Sequence, residues 1–119
     1  MKDKCINIDL PWPPSINHYW RHTKNGHYIS NEGKTYRQLV LFHGLKYRDK
    51  FPKDARLSVY IEAYPPDKRK RDLDNVLKSL LDALQHAGIY QDDSQIDLLT
   101  IIRKSPLNGI VKIEIITIH

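Results

Sequence analysis

The segment from 68 to 78 constrains this chain most, because it joins a run of cations to two carboxylates where a helical pattern begins. It reads Lys68, Arg69, Lys70, Arg71, Asp72, Leu73, Asp74, Asn75, Val76, Leu77 and Lys78. A basic run alone indicates an anion-binding surface, and Asp-x-Asp alone is typical of a helix start. Together they place oxygen ligands for a metal ion beside cations that bind phosphate. We therefore infer a site suited to cutting a nucleic-acid backbone.

The chain has the length and charge of one small basic domain. Its 119 residues and formal net charge of +5 favour a single domain, over residues 1–119, with an acidic partner. Cys5 is the only cysteine, which excludes an internal disulfide and favours a reducing cytoplasm. No apolar run is long enough to span a bilayer, and no signal-peptide pattern opens the sequence. We expect a soluble, cytoplasmic protein that binds no membrane.

Hydrophobic periodicity predicts four strands and two helices. The strands are expected over 4–10, 57–64, 96–102 and 110–118, and the helices over about 31–47 and 73–87. The connection between the last two strands contains Asn108-Gly109, a favoured hairpin turn, so we expect these strands to pair with each other. The predicted fold is α+β, with two layers: a small mixed β-sheet packed against two helices, in the order β-α-β-α-β-β.

Each predicted helix carries an apolar stripe that should face the core. In the first helix the stripe comprises Tyr36, Leu39, Val40, Phe42 and Leu45. In the second helix it comprises Leu73, Val76, Leu77, Leu80, Leu84 and Ala87. Ser30 or Asn31 is suited to cap the start of the first helix, and Gly88 is suited to end the second.

The segment from 17 to 28 mixes aromatic and basic side chains and is predicted to be a loop. These side chains are His18, Tyr19, Trp20, Arg21, His22, Lys24, His27 and Tyr28. Such a loop can stack on bases and contact phosphates, with Arg21 and Lys24 as DNA contacts. The alternative is that its aromatic side chains pack onto the core. Its three histidines have no cysteine or acidic partner in the segment, so we do not expect a zinc site there.

The spacing of the acidic residues leaves two interpretations open. Inside a helix, Asp72 and Asp74 would point in nearly opposite directions, but at a junction between extended chain and helix they can converge. The positive end of the helix dipole also favours phosphate there. Alternatively, these acids only cap the helix, and Lys78 only pairs with Asp74 at i, i+4. A second acidic pair, Asp92-Asp93, follows the helix, and its presence favours the metal-site interpretation.

Several motifs resemble the RusA family of Holliday junction resolvases in order and spacing. They are the 68–78 segment, Asp82-Ala83-Leu84, Gly88, Asp92-Asp93, Leu10 to Ser15 with Asn17 and Arg21-His22, and Ser30 with Glu32-Gly33 and Tyr36-Arg37. The resemblance covers nearly the whole chain. It implies a homodimeric, Mg²⁺-dependent endonuclease that binds four-way DNA junctions and nicks two opposing strands in recombination and repair. It also implies a bacterial or phage source, often a prophage.

The resemblance also assigns roles to residues. Asp72, Asp74 and Asp93 correspond to the family's catalytic aspartates and would hold one or two Mg²⁺ ions, for which Mn²⁺ should substitute. Asp92 is the alternative third acid, although the family pattern favours Asp93. Lys78 corresponds to the essential lysine and would neutralise charge on the scissile phosphate. The basic run, Lys68, Arg69, Lys70 and Arg71, would hold the DNA backbone. No nucleotide cofactor is expected.

Chain geometry limits how the third acid reaches the first two. Residues 74–87 span about 20 Å as a helix, and 87–93 return at most about 20 Å as extended chain. Asp93 can therefore reach Asp74 within one subunit if the chain doubles straight back. We expect this arrangement, with the site close to a two-fold axis; otherwise a partner subunit supplies Asp93.

Two other functions remain: a non-catalytic basic DNA-binding module, and a nuclease for other branched or flap DNA.

Overall fold

A computed structural model describes residues 4–118 of the chain. The strands are β1 (Cys5–Pro11), β2 (Trp20–Thr23), β3 (Gly26–Ile29), β4 (Arg56–Tyr64), β5 (Ile96–Arg103) and β6 (Ile110–Ile118). The helices are α1 (Ile16–Tyr19), α2 (Asn31–Gly44) and α3 (Leu73–His86), with short 3₁₀ turns at Leu45–Tyr47 and Asp93–Gln95. In the described part of the chain, no helix is long and apolar enough to cross a membrane.

The main sheet has four strands in the order β1-β6-β4-β5. β6 runs antiparallel to both of its neighbours, whereas β4 and β5 are parallel. A parallel pair needs a crossover connection, and α3 provides it. The alternating pattern of β4 buries Leu57, Val59, Ile61 and Ala63 on the face that forms the core. The predicted class, an α+β fold with a small mixed sheet and helices packed against it, is confirmed.

The predicted hairpin between the last two strands is wrong. β6 lies between β1 and β4, so β5 and β6 are not neighbours. The connecting loop passes over the end of β4, where the Lys104 N–H donates to the Ala63 carbonyl (2.8 Å) and the Gly109 N–H donates to the Tyr64 carbonyl (2.9 Å). An Asn-Gly pair favours a hairpin when it forms the whole of a two-residue loop. Here the loop has six residues, which is long enough to step across one strand.

The segment that was predicted as a loop contains regular structure. After α1 it forms the two-stranded hairpin β2–β3, and Gly26, the first residue of β3, has a φ of 122°. Tyr19 is fully buried, whereas Tyr28 is half exposed. Packing of the aromatic residues onto the core is therefore confirmed for Tyr19, and contact of this segment with DNA stays a prediction. The sequence pattern did not predict these strands, because each is only four residues long and nearly every side chain on them is exposed.

The bounds of α2 agree with the prediction, but its buried face agrees only at Tyr36 and Val40. The helix buries Gly33, Tyr36, Val40 and Gly44, and the side chains of Leu39, Phe42 and Leu45 are exposed. The two glycines allow the helix to approach its neighbours closely: a Cβ at Gly33 would lie 2.5 Å from the Tyr19 carbonyl oxygen. Small residues mark the packed face here, and a pattern of large apolar residues cannot reveal that.

The α3 prediction is confirmed at both ends and along its core face. Val76, Leu80 and Leu84 are buried. Gly88 adopts a φ of 77°, and the Ile89 N–H donates to the Leu84 carbonyl (3.2 Å). This is the glycine-terminated helix end that satisfies the last carbonyls. Ser30 caps α2, since its hydroxyl accepts a hydrogen bond from the Gly33 N–H (3.0 Å).

Candidate active site

Asp72 lies at the junction between the basic run and α3, with extended backbone (ψ 135°) immediately before the first helical residue. Its backbone carbonyl accepts a hydrogen bond from the Asn75 N–H (3.2 Å). Its carboxylate makes no hydrogen bond that caps the helix, and the side chain is exposed. The residue occupies a capping position without using its side chain as a cap. Its oxygens are therefore available to a ligand.

Asp74 and Lys78 follow on the exposed side of α3. They are spaced at i, i+4, as an ordinary surface pair would be. Within residues 4–118, however, they form no ion pair with each other. A charged oxygen and an ammonium group thus stand unpaired one turn apart, beside the start of the helix.

A cleft of about 590 Å³ opens beside the start of α3. Its walls are Trp12, Pro13, Ser15, His18, Arg69, Lys70, Arg71, Asp72, Asn75 and Val76. One wall comes from the proline-rich segment that ends β1, and the other from the basic run and the first turn of α3. The cleft therefore combines an acid, three cations and an aromatic ring, which suits it to a phosphate-bearing, partly aromatic ligand.

Asp67 organises the basic run and was not predicted. The Arg71 guanidinium donates to both of its carboxylate oxygens (2.7 and 3.0 Å), and the Arg69 N–H donates to one of them (2.9 Å). These hydrogen bonds, first that from the Arg71 side chain, hold the pKa of Asp67 well below its usual range. The Arg71 guanidinium also lies 5.9 Å from the centre of the Trp12 ring. The i, i+4 spacing between Asp67 and Arg71 was the only sequence signal that Asp67 organises the basic run.

Lys68 and Lys70 differ from the two arginines of the run. Both lysines are exposed, and in the described ranges neither forms an ion pair with a carboxylate. The run therefore divides into two arginines that Asp67 orients and two lysines that remain available to an anion. Arg21 and Lys24 are exposed on the β2–β3 hairpin. Arg21 lines a second cleft, of about 430 Å³, which adjoins the first at His18.

Asp93 lies beyond the other end of α3. Its N–H donates to the side-chain oxygen of Gln85 (3.0 Å). The neighbouring Asp92 is occupied by local structure, because its carboxylate accepts from the Ser94 N–H (2.9 Å) and caps the 3₁₀ turn. The two pKa values shift in opposite directions. The hydrogen bond from the Ser94 backbone lowers the pKa of Asp92, whereas partial burial and then the adjacent Asp92 raise the pKa of Asp93.

The single chain does not form the expected cluster of three carboxylates. Gln85, which binds the Asp93 backbone, is eleven positions after Asp74, or about 16 Å along a helix. Mg²⁺ ligands lie only about 2 Å from the ion. Among residues 4–118, no three acidic, histidine or cysteine side chains are close enough to hold a metal ion together. Asp72 and Asp74 thus stand at one end of α3, and Asp93 at the other.

A partly buried network fixes α3 between these two ends. The Arg37 guanidinium donates to Asp82 (2.8 Å) and to the Tyr19 hydroxyl (2.9 Å), and that hydroxyl donates to Asp82. The pKa of Tyr19 is raised well above its usual value, mainly by burial and then by Asp82. The network joins α1, α2 and α3. In the helical pattern Arg37 looks like a surface cation of α2, so the sequence did not reveal its role in this network.

The histidines of the hairpin are paired with each other. His22 and His27 oppose each other across β2 and β3, with their ring centres 4.4 Å apart. The described residues supply no third side chain that would complete a metal site with them. Their exposed position beside Arg21 leaves them on the basic surface, next to the second cleft.

The fold and the cleft define a small α+β protein with a cation-lined acidic site of the kind that phosphodiester hydrolysis uses. The RusA family profile, described as endodeoxyribonuclease RusA, matches residues 11–116. The chain is 49% identical over 102 residues to the crossover junction endodeoxyribonuclease of Enterobacteria phage HK97, covering 84% of this chain and 83% of that protein. It is 41% and 40% identical over 98 residues to the RusA proteins of Shigella sonnei strain Ss046 and Escherichia coli strain K12, covering 76% of this chain and 75% of each. The chain belongs to the RusA endodeoxyribonuclease family.

Proposed function

We propose that this protein is a Mg²⁺-dependent endonuclease that binds four-way DNA junctions and resolves them by symmetric nicks in two opposing strands. The similar proteins are named crossover junction endodeoxyribonucleases. The observation that carries the proposal is the uncommitted carboxylate of Asp72, at the edge of a cleft that three cations line. A residue that served only to cap α3 would have its oxygens on the helix N–H groups.

The donor set fits a hard divalent ion. Mg²⁺ binds in proteins through one or two carboxylates together with substrate phosphate and water, and Asp72 and Asp74 offer carboxylates that local hydrogen bonds leave available. Asp93 is the proposed third ligand, since Asp92 is engaged in capping. Bound there, Mg²⁺ or Mn²⁺ would activate water and stabilise the leaving oxygen.

The remaining residues bind and orient the DNA. Lys78, one turn from Asp74, is proposed to neutralise charge on the scissile phosphate. Lys68 and Lys70 contact the flanking phosphates, which makes binding sensitive to salt and largely independent of sequence. Asp67 holds Arg71 in one orientation, so that this cation enters the cleft already positioned. Arg21 and Lys24 extend the basic surface along the hairpin.

The proposed reaction needs two equivalent sites. A junction is resolved by two symmetric cuts, and a homodimer with two-fold symmetry supplies two sites in the required relation. The proposed setting is the cytoplasm of a bacterium, where host or phage DNA is available to the enzyme.

The experiment that tests this function compares three DNA substrates. Purified protein is incubated with a four-way junction, a linear duplex and a flap, each with and without Mg²⁺. We expect nicks in the junction only, and only with the metal. Asp72→Asn should bind the junction without nicking it, and Glu114→Gln, which changes an exposed acid in the middle of β6, should behave as wild type. Metal-dependent cutting of flaps in preference to junctions would assign the protein to another branched substrate. Binding without any cutting would identify a non-catalytic DNA-binding module.

A further inference from the structure

We propose that the Nε2–H group of His18 donates a hydrogen bond to a phosphate of the DNA strand that is cut, where the cleft beside Asp72 meets the cleft beside Arg21. The proposal rests on the proposed function for the DNA and for the cut at Asp72. It adds a DNA-binding residue outside the basic run and names the atom that makes the contact. Bound in this way, the strand is held in one position relative to Asp72.

His18 lies where the two clefts meet. The first cleft, of about 590 Å³, is lined by Asp72 and Arg71, and the second, of about 430 Å³, is lined by Arg21 and Tyr28. Of the described residues that line either cleft, His18 alone lines both. The two clefts therefore form one groove with cations on either side of His18. A strand that follows this groove from Asp72 to Arg21 passes His18.

The backbone of His18 is fixed by the short helix α1 and by Ser30. The His18 N–H donates to the Ser15 carbonyl (3.0 Å), and the His18 carbonyl accepts a hydrogen bond from the Ser30 hydroxyl. The next residue, Tyr19, is fully buried, whereas His18 is exposed. The imidazole thus lines the groove from a rigid support, so little conformational freedom has to be lost when it binds a ligand.

The contact with Ser15 orients the imidazole ring. The Ser15 hydroxyl oxygen lies 3.0 Å from Nδ1 of His18, and in the proposed arrangement this hydroxyl donates to Nδ1. The proton of the neutral ring is then on Nε2, at the far edge of the ring. Within residues 4–118, Nε2 has no hydrogen-bond partner. A protonated ring presents the same Nε2–H, so this donor is available in both charge states.

The surroundings of His18 favour a phosphate as its partner. Most hydrogen bonds between proteins and DNA go to phosphates and sugars, whose oxygens accept from N–H donors. Lys70 and Arg71 on one side and Arg21 on the other attract the DNA backbone. A cleft of about 590 Å³ is roughly 10 Å across, which corresponds to about three steps of 3.4 Å along one DNA strand. The phosphate bound by His18 should therefore lie within about three nucleotides of the cut.

The first test identifies the atom that makes the contact. His18→Gln keeps an N–H donor close to the position of Nε2, whereas His18→Asn keeps one only near Nδ1 and His18→Ala keeps none. In a gel-shift titration without Mg²⁺ and at fixed salt, His18→Ala and His18→Asn should weaken junction binding about 10-fold, since each loses a hydrogen bond to a charged group. His18→Gln should stay within about two-fold of wild type, because the donor remains.

The matched control for these variants is His43→Ala. It removes an exposed histidine of α2 that lines neither of the two clefts, and it should bind the junction as wild type does. Equal losses in His18→Gln and His18→Asn would overturn the assignment to Nε2. Equal affinities in His18→Ala and His43→Ala would show that His18 makes no contact with the DNA.

The second test identifies the phosphate and separates a contact from a structural role. Junctions are prepared with one uncharged methylphosphonate in place of a phosphate, at each position near the crossover in turn. At one position, the replacement should weaken binding of wild-type protein about 10-fold and leave binding of His18→Ala unchanged, because both changes remove the same hydrogen bond. If every position affects the two proteins equally, the proposal is wrong. If an abasic nucleotide produces this pattern and no methylphosphonate does, the contact is to a base and the proposal is likewise wrong.

The result for His18 is separate from the result for the proposed function, because both tests measure binding without cutting. If wild-type protein nicks the junction with Mg²⁺ and no phosphate distinguishes it from His18→Ala, the His18 contact is wrong and the proposed function stands. If wild-type protein binds the junction but does not nick it, the proposed function fails, while the methylphosphonate series still tests the His18 contact.

Discussion

The acidic residues at the two ends of α3 differ in their hydrogen-bond and ion-pair partners. At the N-terminal end, Asp72 makes no capping hydrogen bond and Asp74 pairs with no cation of the described chain, although four cations precede them. At the C-terminal end, the Asp92 carboxylate accepts a hydrogen bond from the Ser94 N–H, and the Asp93 N–H donates one to the Gln85 side chain. One end presents free oxygens beside a cleft, and the other presents one free acid beside one engaged acid.

This difference separates structural acids from candidate catalytic acids better than sequence position does. The carboxylates of Asp67, Asp82 and Asp92 each accept a hydrogen bond within the chain. Asp72 and Asp74 do not, and a charge that the fold leaves uncompensated at the mouth of a cleft is suited to bind a ligand. The comparison predicts that removing an engaged acid changes stability or orientation, whereas removing a free acid changes catalysis.

The largest effect that the comparison predicts is the loss of catalysis in Asp74→Asn. Nicking should fall on the order of 10³-fold, because a proposed metal ligand is lost. Junction binding should stay unchanged or become tighter, because a negative charge next to phosphate is removed. Single-turnover nicking and a gel-shift titration at fixed salt measure the two quantities separately. Weaker junction binding in this variant would contradict the role given to Asp74.

The comparison depends on α3 staying fixed, so the next largest effect concerns its anchor. Arg37→Ala should lower the free energy of unfolding by about 2 kcal/mol, because it leaves the partly buried Asp82 without its charged donor. Arg56→Ala is the matched control: it removes an exposed pair with Asp97 and should change stability little. Urea unfolding of both variants measures the difference. Equal losses would show that the Arg37 network does not hold α3.

A smaller effect is expected from releasing the basic run. Asp67→Asn frees Arg71 and Arg69, so nicking should fall about 10-fold through lost orientation. Duplex binding should tighten a few-fold, because one negative charge is gone. The ratio of junction to duplex affinity, measured across a salt series, should decrease. A parallel loss of affinity for both DNAs would instead mean that Asp67 mainly stabilises the loop.

The sequence was sufficient for the elements that follow a single strong pattern. β4 and α3 agree with their predicted bounds because each has an uninterrupted apolar period and, for α3, a glycine end signal. The basic run and both acidic pairs were found because the charges adjoin in the chain.

The remaining features depend on contacts between distant residues. The position of β6 between β1 and β4 is set by strand pairing, which a loop motif does not encode. The packed face of α2 is marked by glycines, and the separation of Asp93 from Asp72 follows from the parallel pairing of β4 with β5. Local pattern predicts an element, whereas its neighbours are decided by the packing of the whole chain.

The smallest predicted effect compares the adjacent acids Asp92 and Asp93 by their opposite pKa shifts. The raised pKa of Asp93 means that its ionised form is disfavoured in the folded protein, so this penalty grows as pH rises through the ordinary aspartate range. Asp93→Asn should therefore raise the metal-free melting temperature near pH 7, by at most a few degrees, and the gain should vanish in acid.

The lowered pKa of Asp92 has the opposite effect on stability. Ionised Asp92 stabilises the folded protein above the ordinary aspartate pKa, and this stabilisation is lost as pH falls through the pKa of Asp92 in the folded protein. Asp92→Asn should lower the melting temperature slightly near neutral pH. Thermal unfolding of both variants from pH 3 to 7 measures the two slopes, and slopes of the same sign would remove the distinction between the free acid and the engaged one.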